Sequence, residues 1–373
     1  SQIGDASEGD RFILQGGDCV ERFEDCAEDR IVNKIKILLQ MSIILTYAAR
    51  KPVLKIGRIA GQYFKPRSNL TETINGTVLH TYRGDGINGN APTIEDRLAD
   101  PARLKQSYFS AASTLNFIRA MISGGFADLH NPYNWNLYSI EQTEEWQEYK
   151  EIVEHIVDAV TFMESFGGIN TESVGNIDFF TSHEGLNLEY EEALTRIDHA
   201  SGRRYNLGAH MLWIGDRTRH IDGAHVEYFR GIGNPLGVKV GSTLGSGELL
   251  ELLETLNPDN ERGRITLITR LGAENVRQNL PELIKAVSAS GAKVTWSCDP
   301  MHGNSVSTSS GLKTRRFEDI LAELSASFEV HGEEGSTLSG VHFELTGEDV
   351  TECIGGALNI GEADLDRNYE SFC

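Results

Sequence analysis

The segment ITLITRLGAENVRQNLPELIKAVSASGAKVTWSCDPMHG, residues 265–303, contains one complete strand–helix–strand unit. Ile265–Thr269 and Lys293–Ser297 are apolar or β-branched runs, and Asn275–Ala289 between them has helical periodicity. Polar sequence follows each strand at once, RLG after the first and CDPMH after the second. The unit predicts two parallel strands whose C-terminal ends carry functional side chains.

The same alternation of strands and helices continues through most of the chain. Six further strands are predicted at Arg11–Gln15, Val53–Ile56, Ile177–Thr181, Met211–Ile214, Val238–Val240 and Val341–Phe343. Eight parallel strands with intervening helices indicate a (β/α)₈ TIM barrel, with an open doubly wound sheet as the alternative. We therefore expect residues 1–373 to form a single catalytic barrel.

One region interrupts this rhythm. Between 101 and 167 there is no strand candidate, but there are helical stretches at Pro101–Ile122 and Glu141–Met163. A barrel needs one helix after its second strand, so this region is predicted to be a helical insertion. Its role is either stabilisation and oligomer formation or regulation.

The composition excludes several classes of function. The 34 Lys and Arg residues against 55 Asp and Glu residues leave a net charge of −21, which disfavours nucleic acid and acidic membranes as partners. No apolar run reaches the roughly 20 residues of a membrane span, and Ile37–Ala49 is expected to be a buried helix. Five scattered cysteines favour a reducing compartment, and we expect a cytoplasmic enzyme, or a plastid one if a transit peptide has been removed.

Cationic side chains oppose this negative background and cluster at strand ends. Lys239 and Arg270 each end an apolar strand, and the segment GRIAGQYFKPRS at 57–68 combines glycines with Lys65, Arg67 and Ser68. Guanidinium and ammonium groups bind phosphate and carboxylate, and so many of them suggest two anionic substrates. The whole set comprises Arg58, Lys65, Arg67, Arg217, Arg219, Lys239, Arg270, Lys313, Arg315 and Arg316.

A second group of side chains has the chemistry of metal ligands. Cys19, His302 and Glu344 follow the first, seventh and eighth strands, which are neighbours where a barrel closes. Thiolate, imidazole and carboxylate together suit a divalent transition metal such as Mn, Fe, Co or Zn.

The motifs at the strand ends closely resemble those of type II 3-deoxy-D-arabino-heptulosonate 7-phosphate (DAHP) synthase. The resemblance runs from Phe12 to Cys373 and rests on GGDC at 16–19, the segment 57–68, WIGDRTR at 213–219 with DGAH at 222–225, CDPMHGN at 298–304 and GEDVTEC at 347–353. It implies a (β/α)₈ barrel that condenses phosphoenolpyruvate with erythrose 4-phosphate, the entry to the shikimate pathway and aromatic amino acid biosynthesis.

The resemblance also implies a role for each site residue. Metal binding falls to Cys19, His302 and Glu344, with Mn²⁺ preferred and Co²⁺ or Zn²⁺ as alternatives. The residues expected around phosphoenolpyruvate are Arg58, Lys65, Arg217, Lys239 and Arg270. The erythrose 4-phosphate phosphate is assigned to Arg67, Ser68 and Lys313, and the catalytic residues are Lys65, Asp216 and Arg217.

In two places the chain departs from the family pattern. The family usually has Glu where this chain has Asp216, whose shorter side chain weakens the case for a water-positioning role. The family's fourth metal ligand is an Asp that directly follows the position of Cys373.

The resemblance further implies a homo-oligomer, with aromatic amino acids as feedback effectors and chorismate mutase as candidate partners. Two alternatives stay open. One is a non-catalytic barrel that binds an effector or chorismate mutase, and the other is a synthase that uses a different aldose phosphate. An aldolase with a Schiff-base lysine is disfavoured, because Lys239 lies among cations suited to phosphate.

Overall fold

The computed structural model describes residues 1–128, 132–136, 146–167 and 177–371. Eight parallel strands form a closed barrel in the order β1-β8-β7-β6-β5-β4-β3-β2. Their bounds are β1 Phe12–Gly17, β2 Val53–Arg58, β3 Phe179–Glu184, β4 Met211–Ile214, β5 Leu236–Gly241, β6 Ile265–Arg270, β7 Val294–Cys298 and β8 Leu338–Glu344. The first and last strands pair directly, which confirms the TIM barrel and excludes the open sheet.

All eight predicted strands are present, and several extend further toward the C-terminus than the apolar pattern indicated. The prediction ended the second strand at Ile56 and the third at Thr181, whereas β2 and β3 continue to Arg58 and Glu184. Backbone pairing continues past the last apolar residue because a closed barrel supplies a partner strand on both sides. The charged side chains at the exits are therefore held on strands rather than on loops.

The helices are, in chain order, α1 Gln2–Ser7, α2 Glu28–Ala49, α3 Ala102–Ser123, α4 Trp146–Gly167, α5 Leu188–Leu194, α6 Ala224–Arg230, α7 Ser246–Leu256, α8 Val276–Ser290 and α9 Phe317–Glu333. Helix α8 shows why they form. Its buried residues Val276, Leu280, Leu283, Ile284 and Val287 recur at helical spacing and pack into the main core. Each such helix covers the outside of the barrel with one apolar face.

Helix α2 is long and apolar enough to cross a membrane by length and composition alone. In this fold it packs against β1 and β2 and buries Ile31, Ile35, Leu39 and Ile43. Its apolar face is therefore used by the barrel, as expected for the segment Ile37–Ala49.

The helical insertion after the second barrel strand is confirmed in the fold. Helices α3 and α4 lie between β2 and β3 in the chain, and Tyr149 and Val153 of α4 share a core with Ile35 and Leu39 of α2. The predicted stretch Glu141–Met163 falls partly outside the described residues. The division of the chain into one barrel unit with a separate functional insertion stays a prediction.

Helix α1 covers the end of the barrel where the strands begin. Its buried residues Ile3 and Ala6 pack against Ile13, Ile56 and Met211. The opposite end, where the strands finish, is walled by two additions that the sequence did not reveal. One is the hairpin of Thr71–Ile74 and Thr77–His80, and the other is a small sheet of Ser305–Ser307, Lys313–Arg316 and Cys353–Ile354.

Candidate active site at the barrel mouth

A cavity of about 790 Å³ opens at the C-terminal ends of the barrel strands. The predicted site residues that line it are Cys19, Arg58, Lys65, Arg67, Ser68, Asp216, Arg217, Lys239, Arg270, His302 and Lys313. The remaining predicted residue, Glu344, lies beside the cavity with its Oε1 2.8 Å from His302 Nε2. The structure therefore brings the whole predicted set to one end of the barrel.

Three of these side chains have the arrangement of a metal site. The donor atoms of Cys19, His302 and Glu344 all lie within 4.8 Å of one another. Asp299 Oδ2 lies 2.7 Å from His302 Nδ1, so the ring turns its Nε2 toward the other two donors. A carboxylate behind a histidine is the usual way in which proteins orient a metal-binding imidazole. The residues present therefore fit a divalent metal ion.

Charge balance in this cluster is set by burial and by close ion pairs. Burial lowers the pKa of His302, but the negative charges of Asp299 and Glu344 outweigh it and raise that pKa to about 10. Burial raises the pKa of Glu344, but His302 and Arg58 hold it well below its ordinary value. His302 and Lys239 likewise hold the pKa of Asp299 well below its ordinary value, so both carboxylates are ionised at neutral pH, whereas His302 must release its proton when a metal binds.

Gly17 permits the close approach of the strands that carry these groups. It ends β1 opposite Arg58 on β2 and Glu344 on β8, with a φ of +148°. A Cβ at this position would lie 2.4 Å from the Arg58 carbonyl oxygen, which no side chain could tolerate. The glycine at the exit of β1 is thus a packing requirement of the site.

The deepest cations are fixed by neighbours before any substrate binds. Arg58 is 2% exposed, its guanidinium donates to His342 Nε2 at 3.0 Å, and it lies over the Trp213 ring. Burial and the nearby cations hold the pKa of His342 well below its ordinary value, so its ring is neutral and accepts from Arg58. Its Nδ1 then donates to Gln15 Oε1 at 2.9 Å.

Lys239 and Arg270 extend this cationic wall. Lys239 is buried and pairs with Asp299, and burial lowers its pKa despite that partner. Arg270 donates to the His302 carbonyl oxygen at 2.7 Å and contacts Asp216 Oδ2 at 3.3 Å. Asp216 also accepts from Arg219 Nε at 3.1 Å, so this carboxylate holds two guanidinium groups in place.

The outer part of the mouth is more open. Ser68, Arg217 and Lys313 are exposed to solvent at the rim of the cavity, whereas Arg67 is half-buried and donates from Nε to the Tyr82 carbonyl oxygen at 2.9 Å. Lys65 lies between the two zones, and its Nζ donates to Cys19 Sγ at 2.7 Å. The site therefore has a buried inner zone, whose charges are held by neighbouring groups, and a more exposed outer zone.

Comparison with known proteins agrees with this arrangement. The sequence profile of the class-II DAHP synthetase family matches residues 1–373. The chain belongs to this family. Phospho-2-dehydro-3-deoxyheptonate aldolase of Neurospora crassa is 50% identical over 99% of this chain and 80% of its own length. The enzyme of the same name from Streptomyces coelicolor is 49% identical over 98% of this chain and 81% of its own length.

A third relative, phospho-2-dehydro-3-deoxyheptonate aldolase AroG of Mycolicibacterium smegmatis, is 44% identical over all of this chain and 80% of its own length. The predicted family and the predicted enzyme class, a 3-deoxy-7-phosphoheptulonate synthase acting at the first step of the shikimate pathway, are therefore confirmed. The individual roles of the site residues stay predictions, and Cys373 lies outside the described residues.

In this class-II chain, sequence reasoning left several residues of the site without a role. Asp299 pairs with both Lys239 and His302, and the buried Arg315 places NH2 2.6 Å from Glu344 Oε2. Glu184 ends β3 inside the cavity, where burial raises its pKa. Their positions at strand ends were a signal for Asp299 and Glu184, but nothing in KTRR at 313–316 distinguished Arg315 from its basic neighbours.

Proposed function

We propose that this chain condenses phosphoenolpyruvate with erythrose 4-phosphate and water to give DAHP and phosphate, with Mn²⁺ held by Cys19, His302 and Glu344. One observation carries the proposal: the metal donor set and the cations meet at the same cavity of about 790 Å³. Two phosphorylated anions and a metal-bound aldehyde oxygen need both the metal donors and the cations. Binding a single phosphate needs fewer cations.

A divalent metal bound by the three donors would act as a Lewis acid on the aldehyde oxygen of erythrose 4-phosphate. The mixed set of thiolate, imidazole and carboxylate is compatible with Mn²⁺, and Co²⁺ and Zn²⁺ are the alternatives. The Asp299 contact to His302 Nδ1 supports this role, because it turns Nε2 toward the other two donors.

The inner zone suits phosphoenolpyruvate. Arg58, Lys239 and Arg270 are held by His342, Asp299 and Asp216, so they need little reordering when an anion arrives. Donors organised in advance in a water-poor pocket bind charge more strongly than mobile ones. With Lys65 and Arg217 they would take the carboxylate and the phosphate and direct the methylene carbon toward the aldehyde.

The outer zone suits the phosphate of erythrose 4-phosphate. Arg67, Ser68 and Lys313 line the rim of the same cavity, on the loop after β2 and on the small sheet after β7. A short sugar phosphate held there would point its aldehyde inward to the metal donors. Lys65 and Arg67 are two residues apart, which links the two zones through one segment.

The bond changes follow from this placement. The methylene carbon of phosphoenolpyruvate forms a bond to the aldehyde carbon, and Lys65 donates a proton to the oxygen that becomes a hydroxyl. Water, oriented by Asp216, adds to the carbon next to the methylene carbon and loses one proton. The bond from that carbon to the phosphate oxygen then breaks, and the new hydroxyl gives its proton to the departing phosphate as the ketone forms. Lys65 suits its role because its ammonium group already lies at the metal donors, 2.7 Å from Cys19 Sγ.

The test is an assay that follows the loss of phosphoenolpyruvate absorbance with erythrose 4-phosphate present. We expect activity to disappear on treatment with EDTA and to return with Mn²⁺. Lys65→Met should lower turnover at least 100-fold, whereas Lys285→Met, a change of the same type at an exposed position on α8, should leave it unchanged.

The alternatives predict different outcomes. Consumption of phosphoenolpyruvate with a five-carbon aldose phosphate in place of erythrose 4-phosphate would indicate a synthase of different specificity. A folded protein without turnover under any metal, but with measurable binding of an aromatic amino acid or chorismate mutase, would indicate a binding barrel. Normal turnover in Lys65→Met would remove the proton-donor role alone.

We also propose that α3 and α4 form an assembly or regulatory element of a homo-oligomer. Tyr108 and Phe109 on α3 are 47% and 57% exposed, and Phe162 on α4 is 63% exposed. Exposed large apolar side chains of this kind are typical of an interaction surface when they form a patch. Phe109→Ser should lower the molar mass seen by light scattering if this face is an interface. We propose as well that aromatic amino acids are effectors, that chorismate mutase is a partner, and that the enzyme is located in the cytoplasm or a plastid.

A further inference from the structure

Arg315 is a buried cation that contacts three separate parts of the chain. It lies on the short strand Lys313–Arg316, and it is 1% exposed. Its NH2 lies 2.6 Å from Glu344 Oε2, and its Nε donates to the Met301 carbonyl oxygen at 2.8 Å. Its NH1 lies 2.9 Å from Glu352 Oε1. One guanidinium group therefore joins the exit of β8, the loop after β7 and the C-terminal segment.

Two of these contacts bear directly on the metal donors. Met301 precedes His302 in the chain, so the bond to its carbonyl oxygen holds the backbone from which the imidazole projects. The contact to Glu344 is made through Oε2, while Oε1 lies 2.8 Å from His302 Nε2. The two carboxylate oxygens of Glu344 therefore have different partners. Oε2 contacts Arg315, and Oε1 faces the other metal donors.

We propose that Arg315 is a positioning residue for the metal site, which keeps Glu344 a one-oxygen ligand and aligns it with His302. This inference rests on the function proposed above. Only arginine has the geometry for this role, because its planar fork can donate in three directions whereas a lysine ammonium is a compact point charge. A two-oxygen ligand would have to share Oε2 between the metal and Arg315, so the 2.6 Å contact between Arg315 and Glu344 disfavours that mode.

Glu352 makes the arrangement compatible with a bound cation. A buried guanidinium group beside a metal ion would repel it unless its charge were offset. Glu352 supplies that offset and is itself fixed, since its carbonyl oxygen accepts from Thr314 Oγ1 at 2.6 Å and its Oε1 accepts from Ser371 Oγ at 2.7 Å. The C-terminal segment thereby contributes to the metal site through Arg315.

The experiment measures metal binding directly, with the full chain stripped by EDTA. Mn²⁺ affinity is measured by electron paramagnetic resonance, and the coordination of Co²⁺ by its visible absorption, which weakens as the number of ligand atoms rises. Arg315→Lys should bind Mn²⁺ about 10- to 100-fold more weakly, with weaker Co²⁺ absorption because Glu344 can then ligate through both oxygens. Arg316→Lys is the matched control on the same strand, where the exposed side chain should be replaceable without effect on either reading.

Each outcome of this experiment either supports the positioning role of Arg315 or overturns it. An unchanged affinity and an unchanged Co²⁺ spectrum in Arg315→Lys, even with a lower melting temperature, would make Arg315 a structural residue and overturn the inference. If Arg315→Lys does not fold, Glu352→Gln takes its place. It should weaken Mn²⁺ binding several-fold with Arg315 intact, and no weakening would overturn the inference. If the wild-type chain binds neither Mn²⁺ nor Co²⁺, the metal site itself is contradicted, and with it the proposed function. The variants test only the positioning role of Arg315, so the two failures can be told apart.

Discussion

The mouth of the barrel holds a half-buried histidine and the region near its opposite end a buried one, and the pKa values of the two shift in opposite directions. His302 at the mouth lies against Asp299 and Glu344, which raise its pKa to about 10. His331, near the end of α9 just before β8 begins, is 1% exposed, and burial lowers its pKa to about 4. Its neighbours are the Trp296 ring and the Ser336 hydroxyl, neither of which carries a charge.

The mouth therefore buries paired charges, whereas His331 near the other end lies among uncharged neighbours. Lys239, Asp299 and Glu344 are ionised in the interior because each has an opposite charge in contact. His331 contacts an aromatic ring and a hydroxyl, so burial favours its neutral form. Buried charge marks the end of the barrel where chemistry takes place.

The largest effect should come from breaking the charge pairs of the mouth. Asp299→Asn keeps the size of the side chain but leaves Lys239 buried without its counter-charge and His302 without its orienting carboxylate. Removing one partner of a buried pair costs about 3–5 kcal/mol of stability. Losing the carboxylate behind a metal-binding histidine typically costs about 10- to 100-fold in activity, so kcat/KM should fall about 100-fold. Steady-state kinetics measure this, and Asp259→Asn at an exposed turn is the control. Full activity in Asp299→Asn would remove the distinction between the two ends.

A smaller loss should follow from removing the carboxylate that clamps the loops after β6 and β7. The buried Glu323 accepts from the backbone N–H groups of Leu271 and Gly272 at 2.8 and 2.9 Å, and from Asn304 Nδ2 at 2.7 Å. Glu323→Leu leaves these donors unsatisfied, and we expect the free energy of unfolding to fall by about 3 kcal/mol in urea titration. Glu329→Leu, an exposed position on the same helix, should change it by less than about 0.5 kcal/mol.

The opposite end should show its effect through pH. In the folded state His331 resists protonation until about pH 4, whereas in the unfolded chain it takes up a proton near pH 6.5. Stability is therefore full above pH 6.5 and declines as the pH falls toward 4, with a loss of about 2 kcal/mol at pH 5. His331→Gln should lack this part of the decline when unfolding is measured at pH 7.5 and pH 5. The exposed His199→Gln should retain it, and equal slopes in all three proteins would contradict the assignment.

The smallest effect should come from the exposed rim. Lys313→Met removes one solvent-exposed charge, so the KM for erythrose 4-phosphate should rise about tenfold with kcat nearly unchanged, and added salt should reduce the difference. Lys293→Met makes the same change at an exposed position where β7 begins, and KM should not move. A large loss of kcat in Lys313→Met would show that the rim acts on the chemistry as the inner zone does.

The strands could be predicted because each is an apolar run with turn or polar residues at both ends. Ile265–Thr269 and Met211–Ile214 were recognisable on this ground alone, and β6 and β4 match them within one residue. The hairpin Thr71–His80 and the small sheet around Lys313–Arg316 were not predicted. Their short strands lack a continuous apolar face and are stabilised by pairing within each sheet at the mouth.

The candidate site was predicted to the extent that it lies at strand exits. Cys19, His302 and Glu344 could be grouped because barrel closure makes the first, seventh and eighth strands neighbours. The partners of these groups could not be predicted. Arg315 reaches Glu344 from a sheet that forms only in the folded chain, and Glu352 reaches Arg315 from a segment 37 residues further on.

By itself the sequence determined the barrel, the end at which its site lies and the types of side chain gathered there. Periodicity and strand-end composition are local properties, and the order of strands in a closed barrel converts them into positions. The folded structure is needed to show which charges are paired, which histidine has a raised pKa and which arginine contacts Glu344. These properties depend on distances of a few ångströms between residues that are far apart in the sequence. Coulomb and desolvation energies change by several kcal/mol over such distances.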